Sequence, residues 1–459
     1  MVKSRHGSRV NVAAAVVGAC LALALILLAL PSPAAAQDEP PTTDTVPAPS
    51  EQAAAPSPAD PAATSADFET RWLETAGAVG PRATSPDDPQ SAKPQRRGRD
   101  QPSLAILQIG DSHTAADFFT GELRKRLQAL FGNGGAGYMT AGKPHAGVRS
   151  STFKVTTSPG WSYKSLNKAT EPAEFWLSGY NAITSETGQT MTLVSDQAVP
   201  FDAIEIETVR QPDGGKIDIR LDGRVESQYD LKSDTTEPIV IRLVPETVQT
   251  HVIKQITITT TSPGTVNLAS VSVYNRHAGL SYNSVGFPGA QISLLDKLDE
   301  RVFASELHRL SPQIVVLAFG TNEGFRDDLD LAVYAQTYER IITRIQSILP
   351  GTVIVVVSPP DGAHKEGGEC GRTPPQLARV RDIQQDIAKR YKLVYWNWAS
   401  IMPEQCGPHQ WATMSPPLMA KDYVHFTVEG YKKSAGEFLN TLIPVIRELR
   451  ARSNVVSYN

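Results

Sequence analysis

The chain has 459 residues, a formal net charge of −4 and three cysteines. Hydrophobic residues make up 41% and charged residues 20%, a composition typical of globular proteins. The mild negative charge excludes a protein built around a basic nucleic-acid-binding surface, and three cysteines are too few for a disulfide scaffold. Only one apolar run is long enough to span a bilayer, which excludes a polytopic membrane protein.

Residues 1–36 have the pattern of an export signal. Lys3, Arg5 and Arg9 precede an uncharged apolar run, Val12–Leu30, and Ala34–Ala36 then forms a small-residue cleavage motif. The run is also about long enough to cross a bilayer, so a retained N-terminal membrane anchor is the alternative. Both interpretations place the rest of the chain outside the cytoplasm, in the periplasm or associated with the cell envelope.

Residues 37–100 are rich in proline, alanine, serine and threonine. Such a segment cannot bury enough apolar surface to offset the entropy lost on ordering, so we predict a disordered linker. One short helix is predicted within it, over Ala66–Ala78.

From residue 101 the pattern changes to alternating strands and helices. Leu104–Ile109 is a short apolar run that ends at a Gly-Asp-Ser-His motif, and a helical pattern follows to about Phe131. After residue 280 further strands are predicted at Tyr282–Gly286, Gln313–Phe319, Thr352–Val357 and Leu393–Trp398. Helices are predicted at Ala290–Phe303, Leu331–Leu349, Gln376–Tyr391 and Val428–Leu449. Apolar strands alternating with helices predict a parallel sheet that is covered on both faces.

Residues 150–279 have a different pattern, in which apolar and polar residues alternate between turn motifs. Strands are predicted at Ala203–Val209, Lys216–Leu221, Pro238–Val244 and Val252–Thr259. Many short strands with regular turns predict an antiparallel β-sandwich. The sandwich would interrupt the α/β domain between its first and second strands, so that this domain comprises residues 101–149 and 280–459.

Ser112 follows the first strand of the predicted α/β domain and begins a helix. Ligands bind at this edge of open α/β sheets, and a helix N-terminus presents unpaired backbone N–H groups to a developing negative charge. A serine there can act as a nucleophile if a base accepts its proton. The alternative is a helix N-cap, a position where serine is common.

Three further motifs follow strands or precede helices. Asn322 follows the third strand, where its amide can donate to an oxyanion. Gly289 follows the second strand, and its backbone N–H is a second candidate donor because a helix is predicted directly after it. Both residues also suit simple turns. Asp422 lies three residues before His425, close enough to orient the imidazole and stabilise its charged form.

Together these motifs resemble the SGNH (GDSL-type) hydrolase family. The resemblance covers roughly residues 102–149 and 280–450 and rests on GDS at 110–112, GFPGA at 286–290, GTNE at 320–323 and DYVH at 422–425. It implies a flavodoxin-like three-layer α/β/α fold and no cofactor or metal. By the same resemblance, Ser112 is the nucleophile, His425 the general base and Asp422 the residue that orients it.

The resemblance also implies an oxyanion hole made by the backbone N–H of Ser112, by Gly289 and by Asn322. The sequence departs from the family at one position of the third motif, which more often reads G-x-N-D. Glu323 replaces the aspartate there, whereas Asn322 itself is retained.

The motifs GDSHTA at 110–115, GFPGAQ at 286–291 and DYVHFT at 422–427, together with the β-rich insertion, are similar to those of peptidoglycan O-acetylesterases. In that subgroup the insertion resembles a carbohydrate-binding module, here a jelly-roll-like sandwich. The resemblance implies peptidoglycan, or another O-acetylated polysaccharide, as the partner. Two alternatives stay open: an O-acetyltransferase that uses the same triad, and a non-catalytic wall-binding protein.

Cys370 and Cys406 are the two cysteines beyond the export signal. An oxidising compartment favours a disulfide between them, and a zinc site that adds His364 and His409 is the alternative.

Several other side chains have two interpretations. Aromatic residues of the insertion either stack on sugar rings or pack in the core: Trp161, Tyr163, Trp176 and Tyr180. Trp411 and Met414 either shape a small acyl pocket or belong to the core. Asp111 is interpreted as a structural hydrogen-bonding residue, and His113 has no assigned role.

Overall fold

A computed structural model describes residues 104–169, 175–245, 251–277 and 279–456. The predicted signal or anchor, the linker and the helix within that linker lie outside these residues. Among the described residues, no helix combines the length and the apolar character that a membrane crossing requires.

The described part of the chain begins with strand β1 (Leu104–Gly110), which is followed by helices α1 (Ser112–Ala115) and α2 (Phe118–Phe131). The sequence predicted one helix here, but the structure interrupts it at Asp117. This residue has a φ of 52°, a left-handed conformation that aspartate tolerates better than most residues. Its carboxylate is buried and accepts hydrogen bonds from Thr120 and Arg124, and these contacts hold the break in place.

The next eleven strands form two antiparallel sheets. In chain order they are β2 (Gly137–Thr140), β3 (Lys154–Thr157), β4 (Ser162–Ser165), β5 (Tyr180–Thr184), β6 (Thr190–Phe201), β7 (Ala203–Arg210), β8 (Lys216–Leu221), β9 (Arg224–Asp230), β10 (Glu237–Leu243), β11 (His251–Thr260) and β12 (Val266–Tyr274). One sheet has the order β10-β7-β12-β5-β4, with β2 beside β12, and the other has the order β3-β6-β11-β8-β9.

These two sheets share one apolar core. It contains inward-facing residues of both, such as Ile206 of β7 and Ile219 of β8, which are fully buried. Strand β2 lies within residues 101–149, the first predicted segment of the α/β domain. Nevertheless it pairs with β12 of the insertion, with Thr140 opposite Ser270. The chain therefore joins the antiparallel sheets earlier than the pattern of alternation indicates.

The remaining elements alternate between strand and helix. In chain order they are β13 (Leu280–Gly286), α3 (Glu300–Leu310), β14 (Ile314–Ala318), α4 (Thr321–Gly324), α5 (Leu331–Ile348), β15 (Val353–Val357), α6 (Leu377–Tyr391), β16 (Val394–Trp396), α7 (Gly407–Thr413) and α8 (Val428–Val456). Short 3-10 helices cover Leu166–Lys168, Ile292–Lys297 and Trp398–Ile401.

The helix predicted over Ala290–Phe303 is not present as one element. A turn comes first, then a 3-10 helix over Ile292–Lys297, and α3 begins only at Glu300. The physical reason is Asp299, whose carboxylate caps α3 by accepting hydrogen bonds from the backbone N–H groups of Arg301 and Val302.

Strands β1 and β13 to β16 form a parallel sheet of order β13-β1-β14-β15-β16. In the order of the α/β strands along the chain this is 2-1-3-4-5, the flavodoxin-like arrangement. Helices α3, α5 and α6 cover one face of the sheet, and α2 and α8 cover the other. The predicted fold class is therefore confirmed: a three-layer α/β/α domain, interrupted between two neighbouring strands by an all-β insertion.

Candidate active site

The predicted site residues follow the carboxyl ends of three adjacent strands. Ser112 follows β1, Gly289 follows β13 and Asn322 follows β14. Because parallel strands end at the same edge of a sheet, these residues lie on one side of the domain. Asp422 and His425 reach the same edge from the segment between α7 and α8.

Ser112, His425 and Asp422 form a continuous chain of hydrogen bonds. The Oγ of Ser112 lies 2.9 Å from Nε2 of His425. On the other side of the imidazole, Nδ1 lies 2.8 Å from Oδ2 of Asp422. This is the arrangement of a nucleophile, a base and a carboxylate that orients the base.

Asp422 is held by its own turn as well as by the imidazole. Its Oδ1 accepts hydrogen bonds from the backbone N–H groups of Val424, at 3.0 Å, and His425, at 2.9 Å. Partial burial of the carboxylate opposes ionisation, but the hydrogen bonds from His425 and from the backbone outweigh it and hold the pKa of Asp422 well below its usual range. Asp422 is therefore ionised throughout the physiological pH range.

The hydrogen bond that His425 donates to Asp422 is the main cause of the raised pKa of the imidazole, and burial of the ring opposes the shift. A more basic imidazole is a better acceptor for the proton of Ser112. It also has to lose its own proton before it can act, so this pKa sets the acid side of the pH range in which the site can work.

Asp111, and not Ser112, caps helix α1. Its carboxylate accepts a hydrogen bond from the backbone N–H of His113 at 2.9 Å. The N-cap interpretation of Ser112 is therefore wrong, and the Ser112 hydroxyl contacts His425 instead. Burial raises the pKa of Asp111 to about 6, although hydrogen bonds from His113 and Thr321 oppose the shift.

The structure requires glycine just before this cap. A Cβ atom at Gly110 would lie 2.6 Å from the carbonyl oxygen of Ala318. Strands β1 and β14 approach each other so closely at this point that any side chain would force them apart.

Gly289 lies in an exposed turn, with its neighbour Ala290 donating a backbone hydrogen bond to the carbonyl of Phe287 at 3.1 Å. Its φ of 76° falls in the left-handed region that favours glycine. No helix begins directly after Gly289, so the helix expected to support its role as an oxyanion donor is absent at this point. Gly286, the other glycine of this motif, packs so closely on α1 that a Cβ atom would lie 2.1 Å from the backbone nitrogen of Ala115.

Asn322 contacts the turn that contains Gly289. Its side-chain Nδ2 donates a hydrogen bond to the carbonyl of Ala290 at 2.8 Å. The structure therefore uses one N–H of this amide to hold the turn, the alternative role that the sequence allowed beside that of a donor to an oxyanion. A primary amide has two N–H groups, so the second can still serve that purpose.

His113, which had no assigned role, is buried behind His425. Its Nδ1 lies 2.9 Å from the hydroxyl of Tyr431, and its ring centroid lies 5.4 Å from that of His425. Burial lowers its pKa to about 3, so the ring is neutral. A neutral imidazole fills this space without adding a second positive charge beside His425.

Glu323 and Tyr423 are two residues of the site for which the sequence predicted no role. The buried carboxylate of Glu323 accepts a hydrogen bond from the backbone N–H of Ile292 at 2.7 Å. Tyr423 has a φ of 61°, rare for an aromatic residue, and its hydroxyl lies 3.0 Å from Nδ1 of His409. The only signal in the sequence was their position, each directly beside a predicted site residue.

Cys370 and Cys406 form a disulfide with a Cα–Cα distance of 4.9 Å. The zinc alternative is not supported, because both sulfur atoms are used in this bond. Nor does the described part of the chain contain any other group of three or more His, Cys, Asp or Glu side chains placed to hold a metal ion.

The aromatic residues of the insertion are mostly in the protein interior. Trp161, Trp176 and Tyr180 are buried, and half-buried Tyr163 accepts a hydrogen bond from the backbone N–H of Lys143 at 2.9 Å. These positions favour the packing interpretation over sugar stacking.

The two candidates for the acyl pocket differ from each other. Trp411 is buried against Phe426, with ring centroids 5.2 Å apart, whereas Met414 is exposed.

Residues 261–433 match the model of the GDSL-like lipase/acylhydrolase family. This stretch includes Gly289, Asn322, Asp422 and His425, while Ser112 precedes it. A search of curated protein sequences found no match.

Among solved structures, the chain is similar to one described as a peptidoglycan O-acetylesterase in action. The identity is 23%, the match covers 83% of this chain and 96% of the other, and the TM-score is 0.63. A family two carbohydrate esterase from Cellvibrio japonicus is 12% identical over 69% of this chain and 98% of its own, with a TM-score of only 0.26. The first likeness shows that the two proteins share a fold. The family match, for its part, identifies residues 261–433 as a GDSL-like lipase/acylhydrolase domain and supports hydrolysis of carboxylic esters as its activity.

Proposed function

We propose that this protein is a serine esterase that removes O-acetyl groups from a cell-wall glycan, with the acetyl ester of N-acetylmuramic acid in peptidoglycan as its substrate. The observation that carries this proposal is the hydrogen-bonded chain from Ser112 through His425 to Asp422, at the open edge of the sheet. The fold shared with a peptidoglycan O-acetylesterase supports the choice of substrate class. The expected export signal supports it as well, because wall glycans lie outside the cytoplasm.

The first half of the reaction forms an acetyl-enzyme. His425 accepts the hydroxyl proton of Ser112 as its Oγ attacks the ester carbonyl, and the electron pair of the C=O bond moves onto the oxygen. The backbone N–H groups of Ser112 and Gly289 and the Asn322 amide donate to this oxyanion. Removing one such donor typically costs about 3–4 kcal/mol of barrier. His425 then gives the proton to the sugar oxygen as the C–O bond breaks.

The second half releases the acetate. His425 accepts a proton from water, which attacks the acetyl carbonyl, and the proton then passes to Ser112 Oγ as the acyl bond breaks. Both halves use the same base and the same oxyanion hole. Asp422, which is ionised at physiological pH, stabilises the imidazolium that forms in each.

The test is acetate release from O-acetylated peptidoglycan, from the same material after alkaline removal of its esters, and from acetylated xylan. We expect release from the first substrate, none from the second and less from the third. Ser112→Ala should lower kcat/KM by more than about 10⁴-fold, because the nucleophile is lost. Ser347→Ala, which changes an exposed serine on α5, is the matched control and should have no effect.

Four other outcomes would each revise the proposal. Preference for xylan would contradict the wall substrate while leaving the esterase intact. Transfer of the acetyl group to an added glycan acceptor, with little acetate released, would indicate the O-acetyltransferase. Activity unaffected by Ser112→Ala would show that the nucleophile assignment is wrong, and no activity on any ester would favour a wall-binding protein.

A further inference from the structure

Glu323 is one of the most deeply buried carboxyl groups of the α/β domain, with only 1% of its surface exposed. It lies on the short helix α4, next to Asn322. Its Oε1 accepts a hydrogen bond from the backbone N–H of Ile292 at 2.7 Å. Ile292 begins the 3-10 helix three residues after Gly289.

Two consecutive residues of α4, Asn322 and Glu323, therefore both bind the segment from Ala290 to Ile292. Asn322 donates to the carbonyl of Ala290, and Glu323 accepts from the N–H of Ile292. The other end of the segment is held by the backbone N–H of Phe287, which donates to the carbonyl of Gly110 at 2.9 Å. Gly289 lies between these anchors.

No atom packs against Gly289 on the side where a side chain would project. A Cβ atom built there would meet no atom within 4 Å, and its φ of 76° is only one of several conformations open to a glycine. The direction of its N–H therefore depends on the anchors on either side.

From this geometry we propose that Glu323 is a positioning residue, which holds the Ala290–Ile292 segment and thereby aims the Gly289 N–H at the oxyanion of the ester. The inference rests on the proposed function, because it assigns a task within the same oxyanion hole. The bond to Ile292 has the reach of a glutamate, and an aspartate is shorter by one methylene.

The charge state of Glu323 affects the same step. Burial raises its pKa to about 7, and although backbone hydrogen bonds from Ile292 and Gly320 oppose the shift, the nearby Asp111 carboxyl adds to it. The other titratable groups that interact with it are the hydroxyls of Tyr334 and Tyr338 on α5. Its Oε2 is buried and has no hydrogen-bond partner among the described residues, which favours the neutral acid. A negative charge here would disfavour an oxyanion forming nearby.

The decisive experiment compares Glu323→Asp and Glu323→Gln with wild type, using p-nitrophenyl acetate so that the result does not depend on the glycan. We expect Glu323→Asp to lower kcat by about 10–100-fold with little change in KM, because a misplaced donor weakens only the transition state. Glutamine retains an oxygen at the same reach, so Glu323→Gln should keep kcat near the wild-type value at pH 6.

The pH profile separates positioning from a general structural role. Wild-type kcat should rise as His425 loses its proton and then fall above about pH 7 as Glu323 ionises. Glu323→Gln should lack this fall, because glutamine cannot ionise. Glu306→Gln, which changes a buried glutamate on α3 outside the active site, is the control and should leave both kcat and the profile unchanged.

The two proposals fail in different ways. If Ser112→Ala keeps full activity, the proposed function is wrong regardless of Glu323. If activity depends on Ser112 but Glu323→Asp has wild-type kcat, or Glu323→Gln retains the alkaline fall, the role of Glu323 is wrong. Should Glu323→Asp not fold, as judged by circular dichroism, the profile of Glu323→Gln still decides.

Discussion

Asp422 accepts three hydrogen bonds, one from the imidazole of His425 and two from the backbone of its own turn. The two backbone bonds fix the carboxylate independently of the imidazole. The orientation of the carboxylate therefore follows from the local sequence Asp-Tyr-Val-His. The bond to Nδ1 then selects the tautomer in which Nε2 faces Ser112 as an acceptor.

Asp422→Asn tests this assignment at the scale of one residue. The new amide would donate to Nδ1 and favour the wrong tautomer, so we expect kcat to fall by about 10³–10⁴-fold. Because Asp422 raises the pKa of His425, the acid limb of the remaining activity should move to lower pH. The measurement is kcat/KM between pH 4 and 9.

The control for this substitution is Asp386→Asn, at an exposed aspartate on α6, which should behave as wild type. An Asp422→Asn enzyme with full activity and an unmoved acid limb would show that Asp422 does not orient the base.

At the scale of elements, a disulfide supports the turn that carries the triad. The bond between Cys370 and Cys406 joins the loop before α6 to the start of α7. Both of these segments contact Tyr423: the backbone N–H of Ala363 donates to its carbonyl at 2.9 Å, and His409 on α7 contacts its hydroxyl. The loop, α7 and the turn from 420 to 425 therefore form one connected unit.

We expect replacement of both cysteines by serine to lower the free energy of unfolding by about 2–4 kcal/mol, because the unfolded chain loses a cross-link. The turn from 420 to 425, which contains the proposed base, should also become less well held, with a several-fold fall in kcat. Urea denaturation and p-nitrophenyl acetate kinetics measure the two effects. A reductant should lower both the stability and the kcat of the wild type and leave those of the double variant unchanged. An equal effect of the reductant on the double variant would rule out the disulfide as the cause.

At the scale of the whole molecule, a buried charge cluster joins the insertion to the α/β domain. Arg309 on α3 pairs with Glu306 on its own helix at 3.1 Å, and with Glu205 on β7 at 2.6 Å. It also pairs with Glu207 of β7, which accepts a hydrogen bond from Tyr138 of β2 at 2.8 Å. Several buried carboxyl groups thus share this guanidinium, and burial together with the neighbouring Glu207 holds the pKa of Glu306 well above its usual range.

The stability of the protein should reflect this cluster. A carboxyl group with a raised folded pKa stabilises the folded state most below its unfolded pKa, near 4.5, and this contribution is lost as pH rises through the folded value. Glutamine cannot ionise, so Glu306→Gln does not lose stability in this way as pH rises. Its Tm should therefore fall less than that of the wild type between pH 5 and pH 8. We expect a difference of roughly 2–4 °C.

Differential scanning fluorimetry across this range measures the effect. Glu300→Gln, at an exposed position of the same helix, is the control and should follow the wild type. If Glu306→Gln shows the same decline with pH as wild type, ionisation of Glu306 does not limit the stability of the interface.

Strands, helices and the catalytic motifs could be predicted from the sequence, since each depends on neighbours in the chain. Apolar runs mark β14 and β15 as buried strands, and the alternation over Lys216–Leu221 predicts β8 with its observed bounds. Prediction fails where a distant contact overrides the local pattern. β2 joins a sheet through β12, and α2 starts after a break at Asp117, whose carboxylate accepts hydrogen bonds from Ser151 and Ser284.

By itself, then, the sequence determined the α/β architecture, the inserted antiparallel sheets and the residues able to form a triad. Only the tertiary structure decided how those residues meet, because Ser112 and His425 lie 313 positions apart in the chain and contact each other only when the sheet edge and the segment before α8 come together. The same applies to the supporting contacts, such as Glu323 with Ile292 and His113 with Tyr431. Motifs reflect local chemistry, whereas the direction of a donor or the state of a buried carboxyl depends on what the rest of the chain packs around it.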